Sequence, residues 1–409
     1  MNAVDPAIDW HPEDPAILAD PYATFSRMRD EDPCYWSPRL RSWVLTRYSD
    51  VKAMCLDKEG VSSDRLRPFF ASLPATETSR ITDIIRYLSL WMVFKDPPEH
   101  TRLRRLTSKV FSTRAMQAMR PRVEQIAEHL LQALDGRDHF DLVADYAGPL
   151  PCLVIMAMLG VPAESMSDVK RMSDEIALFI GSSRTSAEKY DTAEAATREM
   201  AAFFMDLIAD RRKRPRDDAL SEMADLRDGD DAFTDDEFVA TCILMLFAGH
   251  ETTTNHIANG MLSLMRFPSE MQRLRADPGL AGAAVEELLR FDGPSGSQVR
   301  IIKREQQLHG KTLKEGQRVF MMLNAANRDP RAYAEPDRLD LSRDGVPHLA
   351  FGYGLHICVG FPLARTEGEV AFPALLRRFA QLEPTTQPEW INSLVFRGMK
   401  ALPVAVKRA

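Results

Sequence analysis

Long apolar runs are missing from this sequence, and so is any surplus of basic charge. Its longest apolar stretch lies near Phe238 to Gly249, too short to cross a bilayer. The segment from Met1 to Asp20 carries Asp5, Asp9, Glu13, Asp14 and several prolines. It holds no apolar core of the kind a signal peptide or membrane anchor needs. A formal net charge of -7 argues against nucleic acid as the main partner, because phosphate binding draws on a net basic surface. Cysteine is scarce. Cys34, Cys55, Cys152, Cys242 and Cys358 are odd in number, scattered and never arranged as CxxC. That pattern argues against a disulfide framework or a zinc ribbon and points to a reducing cytoplasm.

What remains is a globular composition, 45% hydrophobic and 27% charged in 409 residues, enough chain to enclose a bulky cofactor within a continuous core. No internal repeat or low-complexity linker divides it. Helical patterns dominate, at Val51 to Leu56, Thr101 to Phe111, Pro121 to Leu134, Ala193 to Arg214, Leu280 to Phe291 and Leu363 to Phe379. Strand signals are short. They lie at Tyr35 to Leu45 and at Val299 to Met322, where Gly310 and Gly316 mark turns. Arg211 to Asp218 and Arg227 to Asp231 read as charged surface loops. The expected fold is mainly α with small β-sheets, forming one domain over residues 1–409.

The clearest helix begins at Thr234, which forms a capping-box pattern with Glu237. It runs to about Phe267, where Pro268 stops it. Roughly 30 residues make about 45–50 Å of helix, a length that crosses a whole protein of this size. The helix is apolar from Phe238 to Phe247, then abruptly polar at Ala248-Gly249-His250-Glu251-Thr252-Thr253-Thr254-Asn255-His256. A carboxylate and hydroxyls inside a buried helix need partners or a wet cavity. Ala248 and Gly249 leave room there for something bulky and flat. A helix passing from core to surface gives the same pattern.

Two later segments carry further chemistry. Glu287 and Arg290 meet at i and i+3 on one helix face; taken alone, they read as a surface ion pair. The stretch Phe351-Gly352-Tyr353-Gly354-Leu355-His356-Ile357-Cys358-Val359-Gly360 sets one cysteine among three glycines, just ahead of a helix. Glycine lets the backbone turn tightly, and the N–H groups of a helix start favour a thiolate. Such a thiolate suits a soft metal centre, a haem iron among them. A buried core cysteine, or a nucleophile with His356 or His348 as its base, stays open on chemistry alone.

Taken together and in this order, the segments resemble the cytochrome P-450 family, especially its soluble bacterial members. Phe351 to Gly360 matches the family's Phe-x-x-Gly-x-His/Arg-x-Cys-x-Gly loop at every defining position. Ala248-Gly249-x-Glu251-Thr252 matches its oxygen-activation segment, and Glu287-x-x-Arg290 its Glu-x-x-Arg pair. The similarity extends to Asp96-Pro97-Pro98-Glu99-His100-Thr101-Arg102-Leu103-Arg104 and to Asn327-Arg328-Asp329-Pro330.

The resemblance implies haem b (iron protoporphyrin IX) lying between the long helix and the Cys-loop helix, with Cys358 as the iron's thiolate ligand. His100, Arg104, Arg300 and His356 match positions that hold the haem propionates. Ala248, Gly249, Phe351, Gly354 and Gly360 would border the cofactor. Glu251 and Thr252 would be the acid–alcohol pair that delivers protons to bound oxygen. Glu287 and Arg290, with Arg338, would form a structural triad. One departure is that Leu339 stands where the family usually has an aromatic, and Tyr333 where it often has Phe; local repacking is expected.

The implied activity is monooxygenation, in which one atom of O2 enters an organic substrate by hydroxylation or epoxidation. The chain has no flavin or nucleotide fingerprint, so the family analogy draws its electrons from NAD(P)H through a ferredoxin and its reductase. The run from His100 to Arg122 contains no acidic residue, and Arg102, Arg105 and Lys109 within it are expected to dock that donor. An apolar substrate pocket is expected from Phe69, Phe70, Leu73, Phe179, Leu244, Phe247, Ser297, Val299 and Phe396, with segment 178–183 contributing. A non-oxygenating haem sensor or a peroxide-driven peroxygenase are the alternatives; neither would be expected to carry the Glu251–Thr252 pair.

Overall fold

Both halves of the capping box fix the start of the central helix. Thr234 Oγ1 accepts the Glu237 N–H at 3.2 Å, and Glu237 Oε2 accepts the Thr234 N–H at 2.9 Å. The helix then runs Asp235–Arg266 and is buried along most of its length. It is flanked by the helices Pro149–Leu159, Ala281–Asp292 and Phe361–Arg378. Close approach is built in at Gly260, where a Cβ would stand 2.6 Å from Phe372 Cζ. The computed structural model describes residues 8–181, 187–226 and 231–409.

The helical patterns at the ends of the chain and through its middle appear as Tyr48–Leu56, Glu99–Val110, Arg120–Gln132, Ala187–Lys213, Ala281–Asp292 and Phe361–Arg378. The two strand-rich stretches come together in one five-stranded sheet. Its order is Cys34–Ser37, Ser42–Leu45, Arg318–Met322, Ser297–Ile302, Val61–Ser62. All its pairings are antiparallel except that of Ser42–Leu45 with Arg318–Met322. Gly310 and Gly316 take φ of +72° and +79°, the left-handed turns that glycine permits. No helix among the described residues is long and apolar enough to cross a membrane.

Arg211 does not lie in a surface loop. It ends the Ala187–Lys213 helix as a buried side chain, its Nε donating to Asp218 at 2.6 Å and its Nη2 to Gly160 O at 2.7 Å. A guanidinium can be buried where a carboxylate and a carbonyl meet its donors. Of the Arg227 to Asp231 stretch, residues 227–230 lie outside the described residues.

Candidate active site

Cys358 stands three residues before the Phe361–Arg378 helix. Gly352 and Gly354, with φ of +72° and +71°, make the turns that bring the loop round, and Cys358 N–H donates to Phe351 O at 2.9 Å. Burial pushes the thiol's pKa up. The N–H of Gly360, the Arg104 guanidinium, the N–H of Phe361 and Arg365 pull it down. The loop thus supplies what a thiolate needs once something at the sulfur offsets its burial.

The sulfur faces a cavity of ≈ 250 Å³, which the central helix closes on the other side with Leu244, Ala248, Gly249 and Thr252. Gly249 is required by packing, since a Cβ there would stand 2.9 Å from Ile155 Cγ1. Thr252 Oγ1 donates to Ala248 O at 3.0 Å, which leaves its lone pairs as acceptors. Glu251 is only partly buried, and its Oε2 lies 4.0 Å from His250 Nε2.

At one end of the cavity sits a cluster of donors. The His100 and His356 rings lie tilted against each other with centroids 4.1 Å apart, and His356 Nε2 meets Ser63 Oγ at 2.9 Å. Arg104 Nη1 donates to Ile357 O at 2.6 Å, and Arg300 Nη1 to Val299 O at 2.9 Å. Arg300 Nη2 and His100 Nδ1 are buried without a partner among the described residues. Burial, then Arg104, pushes His100 down to about 4, and burial with Arg300, His100 and Arg104 pushes His356 down to about 2. Donors crowded this way and left unsatisfied ask for an anion.

Known proteins give the same answer. The family model for cytochrome P-450 matches residues 35–278 and 279–405. The chain belongs to the cytochrome P-450 family. It is 36% identical to the vitamin D(3) 25-hydroxylase of Pseudonocardia autotrophica, covering 95% of this chain and 94% of the relative. It is 35% identical to the 6-deoxyerythronolide B hydroxylase of Saccharopolyspora erythraea, covering 96% and 97%. Among solved structures, cytochrome P-450 BioI in complex with an acyl carrier protein ligated to hexadec-9Z-enoic acid superposes with a TM-score of 0.88. That match has 32% identity and covers 96% of this chain and 99% of the other. The chain is accordingly a monooxygenase and an oxidoreductase.

The residues present fit the family's haem-thiolate group. Cys358 lines a cavity bordered by the small residues Ala248 and Gly249, and the donors of His100 and Arg300 that are unpaired among the described residues suit a cofactor's carboxylates.

Elsewhere this P-450 departs from the sequence expectations. The departure in the expected triad is not at Glu287 and Arg290, which form a buried pair with Nε and Nη2 at 2.7 and 2.8 Å from the carboxylate. The third member is Arg343, whose Nε reaches Glu287 Oε1 at 3.1 Å. Arg338 contributes only its carbonyl oxygen, to Arg290 Nη2 at 3.2 Å, while its own guanidinium is exposed on Glu335 at 3.3 Å. Tyr333 and Leu339 are buried, and the Arg290 guanidinium lies 5.4 Å from the Tyr333 ring centre. Sequence reading also missed the pair of Arg365 with Glu286, at 2.6 and 2.9 Å, which braces the Cys-loop helix.

Of the expected substrate residues, only Leu244 lines the haem-site cavity. Strand alternation is the reason at Ser297 and Val299: successive side chains point to opposite faces, so Gln298 faces the cavity instead. Ser297 Oγ is tied to Leu394 O at 2.7 Å. Phe247 packs between Trp91 and Phe396, at 5.5 and 6.1 Å between centroids. Phe70 stacks on Phe179 at 6.2 Å, and Leu73 packs against the core. Phe69, Phe179 and Val299 line a second cavity. Residues 182 and 183 lie outside the described residues.

The basic run is also divided. Arg104 turns inward to the Cys loop, and Arg102 is held by Asp231 and Glu237. Arg105 reaches Asp231 at 3.4 Å. Arg102 is therefore neutralised within the fold and does not present a docking charge.

Proposed function

We propose that this chain works as one catalytic domain that binds haem b through Cys358. In this reading it inserts one atom of O2 into an apolar organic substrate, using electrons passed from NAD(P)H by a ferredoxin reductase and a ferredoxin. The observation that carries the reading is that Cys358 lines the same cavity as Ala248, Gly249 and Thr252. Haem held through the Cys358 thiolate would supply O2 binding and reductive activation, which thiolate ligation favours. His100, Arg104, Arg300 and His356 would hold its propionates.

Thr252 Oγ1, fixed by its bond to Ala248 O, accepts a proton-bearing water on the cavity side. Glu251, partly exposed beside His250, takes protons from solvent and passes them inward. The apolar wall that includes Leu244 and Leu289 excludes bulk water, and Gln298 adds one polar contact for the substrate. Buried Glu287, bonded to Arg290 and Arg343, fixes the frame beneath the Cys loop.

The ferredoxin docks on the face carrying Arg105 and Lys109, and the scattered free cysteines suit a cytoplasmic location. Turnover with O2 and a ferredoxin system tests the whole reading. Product is expected with that system, with a first-electron rate that falls as salt rises; product from peroxide alone, and none from O2 and ferredoxin, would overturn it.

A further inference from the structure

A second cavity, of ≈ 560 Å³, opens on the sheet face opposite Gln298. Its floor is made by cross-strand neighbours, Val299 beside Phe320 and Ile301 beside Arg318. Phe69 and Phe179, with centroids 6.0 Å apart, form an apolar wall. Neighbouring residues on the same elements divide this space from the haem-site cavity. Phe94 lines one and Met92 and Val93 of the same short turn line the other, just as Val299 and Gln298 divide along one strand.

Its charge is one-sided. Arg39, Arg65, Lys189 and Arg318 line it, and none of its described lining residues is acidic, in a chain of net charge -7. Arg39 is offset by Glu13 at 3.2 Å. Arg65 and Arg318 have no carboxylate partner among the described residues. The Arg65 guanidinium lies over the Phe94 ring at 5.0 Å, and Arg318 Nη2 donates to Leu40 O at 3.0 Å. Nearby Arg67, Arg80 and Arg86 each sit on a carboxylate, of Asp64, Asp191 and Asp236, so Arg65 is the exception in its own segment. Burial, with repulsion from Arg300 and Arg318, pushes it down to about 10. Half-buried Arg65 and exposed Arg318 border one cavity with no acidic residue among its described lining, and an anion brought from outside relieves their mutual repulsion.

We propose that this cavity takes the carboxylate end of a long-chain monocarboxylate substrate. Arg65 and Arg318 grip the headgroup, and the apolar chain passes the Met92–Phe94 turn to reach the haem site. The volume is in the range of sites for molecules of that size. This assignment rests on the haem-thiolate reading and names the substrate class for that site.

The test compares lauric acid with methyl laurate on the haem-loaded protein, by absorption titration of the ferric state and by equilibrium dialysis. Lauric acid is expected to bind roughly tenfold tighter than the ester, an advantage that shrinks with salt. Arg65→Ala and Arg318→Ala should each remove most of that advantage, and Arg65→Lys should keep much of it. Equal binding of acid and ester, binding of neither, or an acid preference untouched by both alanine variants overturns the proposal. An Arg65→Ala protein that folds but cannot retain haem assigns Arg65 to a cofactor carboxylate, and also overturns it. If Arg65→Ala does not fold, Arg318→Ala decides. A reduced carbonyl spectrum without thiolate character defeats the haem-thiolate reading instead, while dialysis still reports on the anion site.

Discussion

The Glu287 carboxylate is shared between Arg290 on its own helix and Arg343, whose Nε lies 3.1 Å from Oε1 at a site almost closed to solvent. Breaking a buried pair leaves a charge without compensation, and that costs more than losing a surface pair. Arg343→Ala is therefore expected to destabilise the haem-loaded protein by about 2–3 kcal/mol, while Arg338→Ala costs less than about 0.5 kcal/mol. Urea unfolding of the two variants checks the order. Equal losses would return the structural role to Arg338.

Thr252 lines the haem-site cavity with its hydroxyl hydrogen committed to Ala248 O. Thr252→Ala should leave haem content and substrate binding unchanged and divert electrons into hydrogen peroxide. The ratio of NAD(P)H consumed to product formed measures this, and a ratio at the parent level contradicts the proton-delivery role.

Glu367 is buried in the lining of the same cavity, with Oε1 unpartnered among the described residues. Burial pushes its pKa up from 4.5 to about 8, against a smaller pull from the Thr253 hydroxyl. Between those values the unfolded chain has released a proton that the fold retains. Stability therefore falls as pH rises from about 4.5 to about 8 and is level in this respect above. Glu367→Gln should remove that slope and stabilise the haem-loaded protein by at most about 3 kcal/mol at pH 7. Unfolding midpoints of parent and variant across this pH range give the difference; parallel profiles would contradict it.

The helices were legible because their signals are local. The Thr234–Glu237 cap, the Pro268 stop and the 3.6-residue periodicity all lie within a few turns of what they specify. The Cys358 loop was legible for a similar reason, since its glycines and cysteine are close in sequence. Arg343 was not, because no spacing rule prefers it to Arg338 and only the folded chain decides which guanidinium is buried. Strand geometry singles out Gln298, which sequence offered beside Ser295 and Ser297 as a polar contact: if Arg300 faces the propionates, the two-residue period puts 298 on its side and 297 and 299 on the other. The cavity between the sheet and Phe69 joins segments hundreds of residues apart, such as Leu40 and Leu394, and no sequence pattern links them.

The central claim is that the Cys358 sulfur binds a haem iron, and the carbonyl complex of the reduced, haem-loaded protein tests it most directly. The account predicts the long-wavelength Soret band of thiolate ligation, lost in Cys358→His, whose spectrum should become that of an imidazole-ligated haem. Parent protein that shows the imidazole-type band itself, or stays colourless with porphyrin in excess, would contradict it.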